Sequence, residues 1–145
     1  MSNKLPTESK IFTNLKRSVD DRGQIMSIVD NSVQNVSIIH CYENTIRSNH
    51  YHKIDFHFMY VLEGEIDYFY KSLNDNIVKY LKVLKGETIF TPNLEIHATY
   101  FPIYTRLVVS SGFPRDQKTY EEDTVRVSFI NNENVHGYLE KYEKS

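Results

Sequence analysis

Arg47-Ser48-Asn49-His50-Tyr51-His52, followed by His57 and closed by Gly64, is the stretch on which the reading of this chain turns. If the segment is extended, His50 and His52 project to the same face, because side chains alternate along a strand with a period of two. Four residues separate His52 from His57, and six separate His57 from Gly64. A second segment, Gly86 to His97, supplies a fourth imidazole after a turn containing Pro92. Neutral imidazole is the commonest protein ligand for a transition metal, and converging imidazoles have few structural explanations. The first expectation is therefore a divalent transition metal (zinc, iron, nickel or copper) on His50, His52, His57 and His97. The competing expectation is a site without metal, its histidines paired with one another or with water.

The rest of the chain limits what such a site can serve. At 145 residues the length fits one domain, enough to bury roughly two thirds of the unfolded surface. Seventeen basic against nineteen acidic side chains leave a net charge of −2, so no general field attracts nucleic acid or an anionic membrane. The single Cys41 offers no internal disulfide, and no apolar signal or spanning run is present; the expected location is cytoplasmic. Eleven Tyr and eight Phe among Val and Ile suit packed sheets better than helical bundles.

Turn residues divide the chain into short strands. Ile11, Phe12 and Leu15 open an edge strand, and Asp20-Asp21-Arg22-Gly23 forms a turn before a strand through Ile25, Met26, Ile28 and Val29. Val36 to Tyr42, Asp55 to Leu62, Glu65 to Tyr70, Ile77 to Val83, Glu87 to Phe90 and Tyr104 to Ser110 follow, at the spacing of an all-β sandwich or barrel. After the charged run Tyr120-Glu121-Glu122-Asp123, Val125 to Ile130 recovers strand character, as an appendage that a second subunit can exchange. Both faces of Asp55 to Leu62 are apolar, which predicts cover on both sides: a homodimer over Phe56, Phe58 and Tyr60, or a packed face of the same subunit.

The two histidine segments resemble the two motifs of the cupin superfamily. His50, His52, His57 and Gly64 fall on the first, with His57 where Glu is usual; Gly86, Pro92 and His97 fall on the second, with Leu94 where Gly is usual and Phe101 where Asn is usual. The resemblance covers roughly residues 36 to 111. It implies an all-β, single-domain cupin, a double-stranded β-helix or jelly-roll barrel. Residues 1–10 are then a flexible N-terminus, 11–130 the cupin domain and 131–145 a polar C-terminal tail.

Flanking residues narrow the resemblance. Arg47, three residues before His50, is similar to the Arg-x-x-His segment of dTDP-4-dehydrorhamnose 3,5-epimerases, whose chains also carry Asp-x-Arg-Gly, matched here by Asp20, Arg22 and Gly23. The run also resembles the C-terminal cupin domain of capsular-polysaccharide epimerase-reductases and the sugar-nucleotide 3,4-ketoisomerases. These resemblances imply a nucleotide-linked sugar as ligand and epimerase or isomerase chemistry in bacterial surface-polysaccharide synthesis. They imply His50 as a catalytic group with a tyrosine, Tyr100 or Tyr104 (Tyr60 is a further position), as its partner. Arg47 and an inward Arg106 would bind substrate, since a planar guanidinium holds phosphate by paired charge-assisted bonds; an outward Arg106 would only solubilise an edge. Glu95 orients a ligand or faces solvent, and His40 reads as a packed histidine. Two other functions stay open: an Fe(II)-dependent small-molecule dioxygenase, and a non-catalytic binding cupin stabilised by its metal.

Overall fold

The computed structural model describes residues 4–13 and 15–143; the side chains of 15–17, with the expected apolar Leu15, lie outside the described residues, as do 1–3 and 144–145 of the two terminal segments. The elements in order are β1 (Lys10–Thr13), β2 (Leu15–Asp20), β3 (Gly23–Ser27), β4 (Asn35–Cys41), β5 (Thr45–His52), β6 (His57–Glu63), β7 (Glu65–Ser72), β8 (Lys79–Leu84), β9 (Glu87–Thr91), β10 (Glu95–Phe101), β11 (Thr105–Ser111), α1 (Gln117–Asp123), β12 (Thr124–Arg126) and α2 (Val135–Glu143). Two five-stranded sheets result, β1-β9-β6-β11-β4 and β12-β5-β10-β7-β8, beside a separate β2-β3 hairpin. Every pairing is antiparallel. This is the expected all-β jelly roll.

Alternation builds the interior between the sheets. Met59 and Val61 from β6, Leu107 and Val109 from β11, Cys41 from β4, Ile66, Tyr68 and Tyr70 from β7 and Phe101 from β10 pack into one cluster. Cys41 is a buried free thiol whose pKa burial pushes up, which fits a small core hydrophobe. The β6-to-β7 turn depends on Gly64: at φ 90°, a Cβ there would lie 2.3 Å from Thr105 Oγ1 and 2.6 Å from the Tyr104 carbonyl. Backbone that close to backbone admits only glycine.

Four features depart from the sequence expectation. β10, the strand that carries His97, was not foreseen, and all of its residues are buried. Its inner face meets the core, while Ala98 and Tyr100 on its outer face join Phe69, Ile130 and Val135 beneath Tyr138, Leu139 and Tyr142 of α2. Residues 131–145, read as polar tail, thus include a helix that covers sheet surface. The strand expected over Val125 to Ile130 is reduced to β12, which pairs with β5 of the same chain. Ser9, inside the segment expected to be flexible, is buried and bonded to Glu95. Of the two covers expected over Phe58, a partner sheet or the same subunit, its own chain supplies one: Phe58 packs against Phe56 and Phe90 and faces Leu5, Phe12 and Ile28. Among the described residues, no helix is long and apolar enough to cross a membrane.

Candidate functional site

A bulge in β5 sets the site. Arg47 and His50 are three residues apart, a separation that places side chains on opposite faces of a regular strand. Here β5 pairs with β10 as His50↔His97, Ser48↔Ala98 and Arg47↔Thr99, so Asn49 is an extra residue with no partner. Ser48 and Asn49 absorb it at φ 72° and 58°. Arg47 is thereby returned to the inner face with His50, opposite Thr99 and His97, and all four line one chamber. Asn49 points the other way: its Oδ1 accepts from the backbone N–H of Phe129 and Ile130 at 3.1 Å each, and its Nδ2 donates to the Ile130 carbonyl at 2.9 Å.

Imidazoles line the chamber through His50, His57 and His97, with His52 packed beside them. His50, His52 and His97 each offer a ring nitrogen within 4.8 Å of the others, and all three are buried. Ring centroids are 4.6 Å apart for His50 and His52 and 4.8 Å for His50 and His97. Burial, reinforced by neighbouring imidazoles, pushes the pKa of His50 and His52 down to about 2 and that of His97 to about 3. The rings are therefore neutral across the physiological range, the form in which imidazole ligates. His97 Nδ1 lies 3.2 Å from the Glu95 carbonyl, which only accepts, so Nδ1 carries the proton and Nε2 keeps its lone pair. His52 Nδ1 lies 3.5 Å from Asp123 Oδ2 and 3.4 Å from Thr124 Oγ1, whereas its Nε2 is buried without a hydrogen-bond partner. An orphaned buried nitrogen, on a ring that offers a ligand atom within 4.8 Å of two other imidazoles, fits a metal position.

His57 enters from the opposite sheet and stands apart from this trio. Its Nε2 lies 3.2 Å from Asp55 Oδ2, and the other oxygen of Asp55 accepts from the backbone N–H of Phe56 and Phe113 at 2.8 and 3.2 Å. The structure thus divides the expected four-histidine set into three convergent rings and one carboxylate-paired ring, with His52 and His57 centroids 4.6 Å apart. Behind His97, Tyr68 stacks parallel to its ring at 6.2 Å. The Tyr68 hydroxyl bonds Thr91 and Ser9 at 2.8 and 2.7 Å, and the Ser9 hydroxyl donates to Glu95. Glu95 therefore orients His97 through its backbone, while its side chain anchors the N-terminal segment.

Other expected site residues lie elsewhere. Tyr100 occupies the outer face of β10, alternate to His97 and Thr99, and donates to Asn44 Oδ1 at 2.8 Å beneath α2. Tyr104 bonds His40 Nδ1 at 2.5 Å and stacks near Tyr42 on the outer surface. Neither tyrosine reaches the chamber. Arg106 alternates with the inward Leu107 and Val109 and its Nε donates to Glu63 at 2.9 Å, so it is the outward, surface-paired arginine. The tyrosine that reaches His50 and His52 is Tyr120, with centroids 5.5 Å from His52 and 6.2 Å from His50. It comes from α1, capped by Asp116, which accepts from the Thr119 amide at 3.1 Å. Arg115, just before that cap, lies over the Tyr120 ring at 4.9 Å and lines the chamber. Asp55, Asp123, Tyr120 and Arg115 escaped the sequence reading; the charged run 120–123 was their only visible trace.

No family sequence model and no curated protein sequence matches this chain. Solved structures do. QdtA, a sugar 3,4-ketoisomerase from Thermoanaerobacterium thermosaccharolyticum solved with TDP, superposes with a TM-score of 0.67 at 16% identity over 97% of this chain and 98% of that one. WlaRA, a TDP-fucose-3,4-ketoisomerase from Campylobacter jejuni, gives 0.64 at 12% identity over 81% and 87%. CapF, a capsular polysaccharide assembling protein from Staphylococcus aureus, gives 0.61 at 19% identity over 81% of this chain and 33% of its own. At these identities the likeness establishes architecture: the chain has a single-domain all-β cupin fold, shared with sugar-nucleotide 3,4-ketoisomerases and with part of CapF.

Proposed function

We propose that this protein isomerises or epimerises a nucleotide-linked keto-sugar, with a divalent transition metal held by His50, His52 and His97. The observation that carries the reading is the trio of neutral, buried imidazoles, one with an orphaned Nε2, of which His50 and His97 line a chamber that the carboxylate-paired His57 also lines. The likeness to ketoisomerases supports the substrate class, and the likeness to CapF supports a place in surface-polysaccharide synthesis.

A metal bound there would supply Lewis acidity at a carbonyl oxygen. The chain's own residues supply the rest. Moving a ketone to the neighbouring carbon requires a base that takes the C–H proton beside the carbonyl and returns it one carbon away, while a proton passes between the two oxygens. A histidine whose nitrogen binds metal cannot move that proton through the same nitrogen. His57, oriented by Asp55, is the chamber histidine left for proton transfer. The Asp123 carboxylate, which also accepts from the backbone N–H of Ile54 and Asp55 at 2.9 and 3.1 Å, sits beside His52 Nδ1 and holds that ring's orientation.

The test is exchange in heavy water. The protein, assayed with dTDP- and UDP-linked 4-keto-sugars, is expected to place solvent deuterium on a ring carbon beside the carbonyl, and to lose this on chelation. No exchange from any of them overturns the reading, and oxygen uptake after iron is restored would move the protein to the dioxygenase class.

The working unit is proposed to be a homodimer. Support comes from β4, whose Val36 and Ile38 are more than 60% exposed on the edge of a sheet and lack the charges that usually protect such an edge. A monomer in sedimentation at micromolar concentration rejects this.

A further inference from the structure

The chamber above the histidines has a volume of about 70 Å³, room for on the order of two waters at liquid density. A nucleotide-linked sugar is far larger. Only its reacting end can enter, and its charged remainder must lie across the rim of the chamber, which Arg47 of β5 lines together with Arg115 and Tyr120 of the segment around α1.

Carboxylates divide the described arginine side chains into two groups. Arg22 lies 2.7 Å from Asp20, Arg106 2.9 Å from Glu63 and Arg126 2.9 Å from Glu121. Among the described residues, Arg47 and Arg115 have no carboxylate partner, and these are the two that line the chamber. Arg47 reaches the His40 carbonyl at 3.4 Å. Arg115 is held by the face of Tyr120, a contact that spends none of its N–H donors. Two guanidiniums without counter-charges, facing one opening, form a site for a doubly charged ligand that presents paired phosphate oxygens.

We infer that Arg115 and Arg47 clamp the diphosphate of the ligand from the two sides of the rim, with Tyr120 as the platform that positions Arg115. This rests on the nucleotide-sugar reading and deepens it, since it makes the α1 segment a selector for diphosphate-linked sugars over free sugars.

Calorimetric titration of the full chain with thymidine diphosphate tests it. Wild-type protein is expected to bind, Arg115→Ala to bind at least tenfold more weakly, and Arg115→Lys to fall between, since an ammonium cannot make the paired contact. The Arg115→Ala penalty should shrink as salt is raised. Arg126→Ala removes the same charge from the neighbouring Glu121 pair and is expected to change affinity less than twofold. Unchanged binding by Arg115→Ala, or equal losses in both variants, overturns the clamp while deuterium exchange by the wild type leaves the isomerase reading standing. Failure of the wild type to bind thymidine or uridine diphosphate overturns both.

Discussion

On β5 and β10 the site is made by strand geometry, whereas on residues 113–130 it is made by individual side-chain hydrogen bonds. His50, His52 and His97 face one another because two antiparallel strands are in register at His50↔His97 and alternate from there. The C-terminal segment has only the seven-residue α1 and the three-residue β12, which pairs with β5, and individual side chains hold it at both ends. It is fixed by Asn49 to Phe129 and Ile130, by Asp55 to Phe113, and by Asp123 to Ile54 and Asp55. A ladder distributes its stability over many equivalent bonds, but a tethered segment concentrates it in a few polar side chains. The histidine wall is therefore expected to resist substitution in its fold and to fail in its chemistry, and the segment to do the reverse.

The largest expected effect breaks the wall's chemistry. His52→Ala removes the nitrogen with no partner and should abolish metal retention in elemental analysis, with turnover reduced by about 10²- to 10⁴-fold. Far-ultraviolet dichroism should remain that of a sheet protein. A variant that keeps its metal would show that the trio is not the binding set.

Acid is the next lever. An ordinary histidine binds its proton near pH 6.5, while the folded protein withholds protonation of His50, His52 and His97 until about 2 to 3. Below pH 6.5 the unfolded chain thus holds more protons than the native one. Stability from this source is full above pH 6.5 and is lost as pH falls toward the folded values, by about 1.4 kcal/mol per pH unit for each histidine that titrates. Urea denaturation of metal-free protein at pH 7.5, 6 and 5 should show that slope; a flat profile would mean the rings are wetter than the structure has them.

Asn49→Ala tests the tether. It deletes three hydrogen bonds and places alanine at a φ that asparagine tolerates better, for a loss of about 2–4 kcal/mol. Proteolysis should then begin between residues 113 and 130. Cleavage elsewhere first would show that the segment does not depend on Asn49.

The smallest effect has the opposite sign. Leu94 stands at φ 59° with an exposed side chain and donates its backbone N–H to the His52 carbonyl at 2.7 Å. Leu94→Gly relieves left-handed strain and loses little packing, for a gain on the order of 0.5–1 kcal/mol after the entropy of glycine is set against it. A loss of stability would mean that the Leu94 side chain packs usefully.

What was legible in the chain follows the same division. Spacing located His50, His52 and His97 because alternation and a turn residue such as Pro92 act locally. The empty Gly position at Leu94 was visible too, although only the structure gives its positive φ. β10 went unread since Ala98 and Tyr100 are covered by a helix that begins 35 residues after Tyr100, at Val135, so its two buried faces carry no alternation to detect. That helix reads as polar tail from its Glu and Lys residues, and only Tyr138, Leu139 and Tyr142 betray the covered side. Asp55, Asp123, Arg115 and Tyr120 take their roles from partners brought close by folding, so no spacing announces them. The misplacement of Tyr100 and Arg106 has one cause, since each has a neighbour of opposite orientation one residue away.

The bulge at Ser48 and Asn49 makes the length of this stretch inseparable from its pairing. Losing one residue there would leave a regular strand with Arg47 two residues from His50 and still inward, but without the outward Asn49 that ties residues 129 and 130; keeping the length while pairing every residue regularly would instead send Arg47 to the surface and Ile46 into the chamber. Chains of this fold that lack the extra residue should therefore keep the arginine beside their histidine wall and lose the tether to the C-terminal segment.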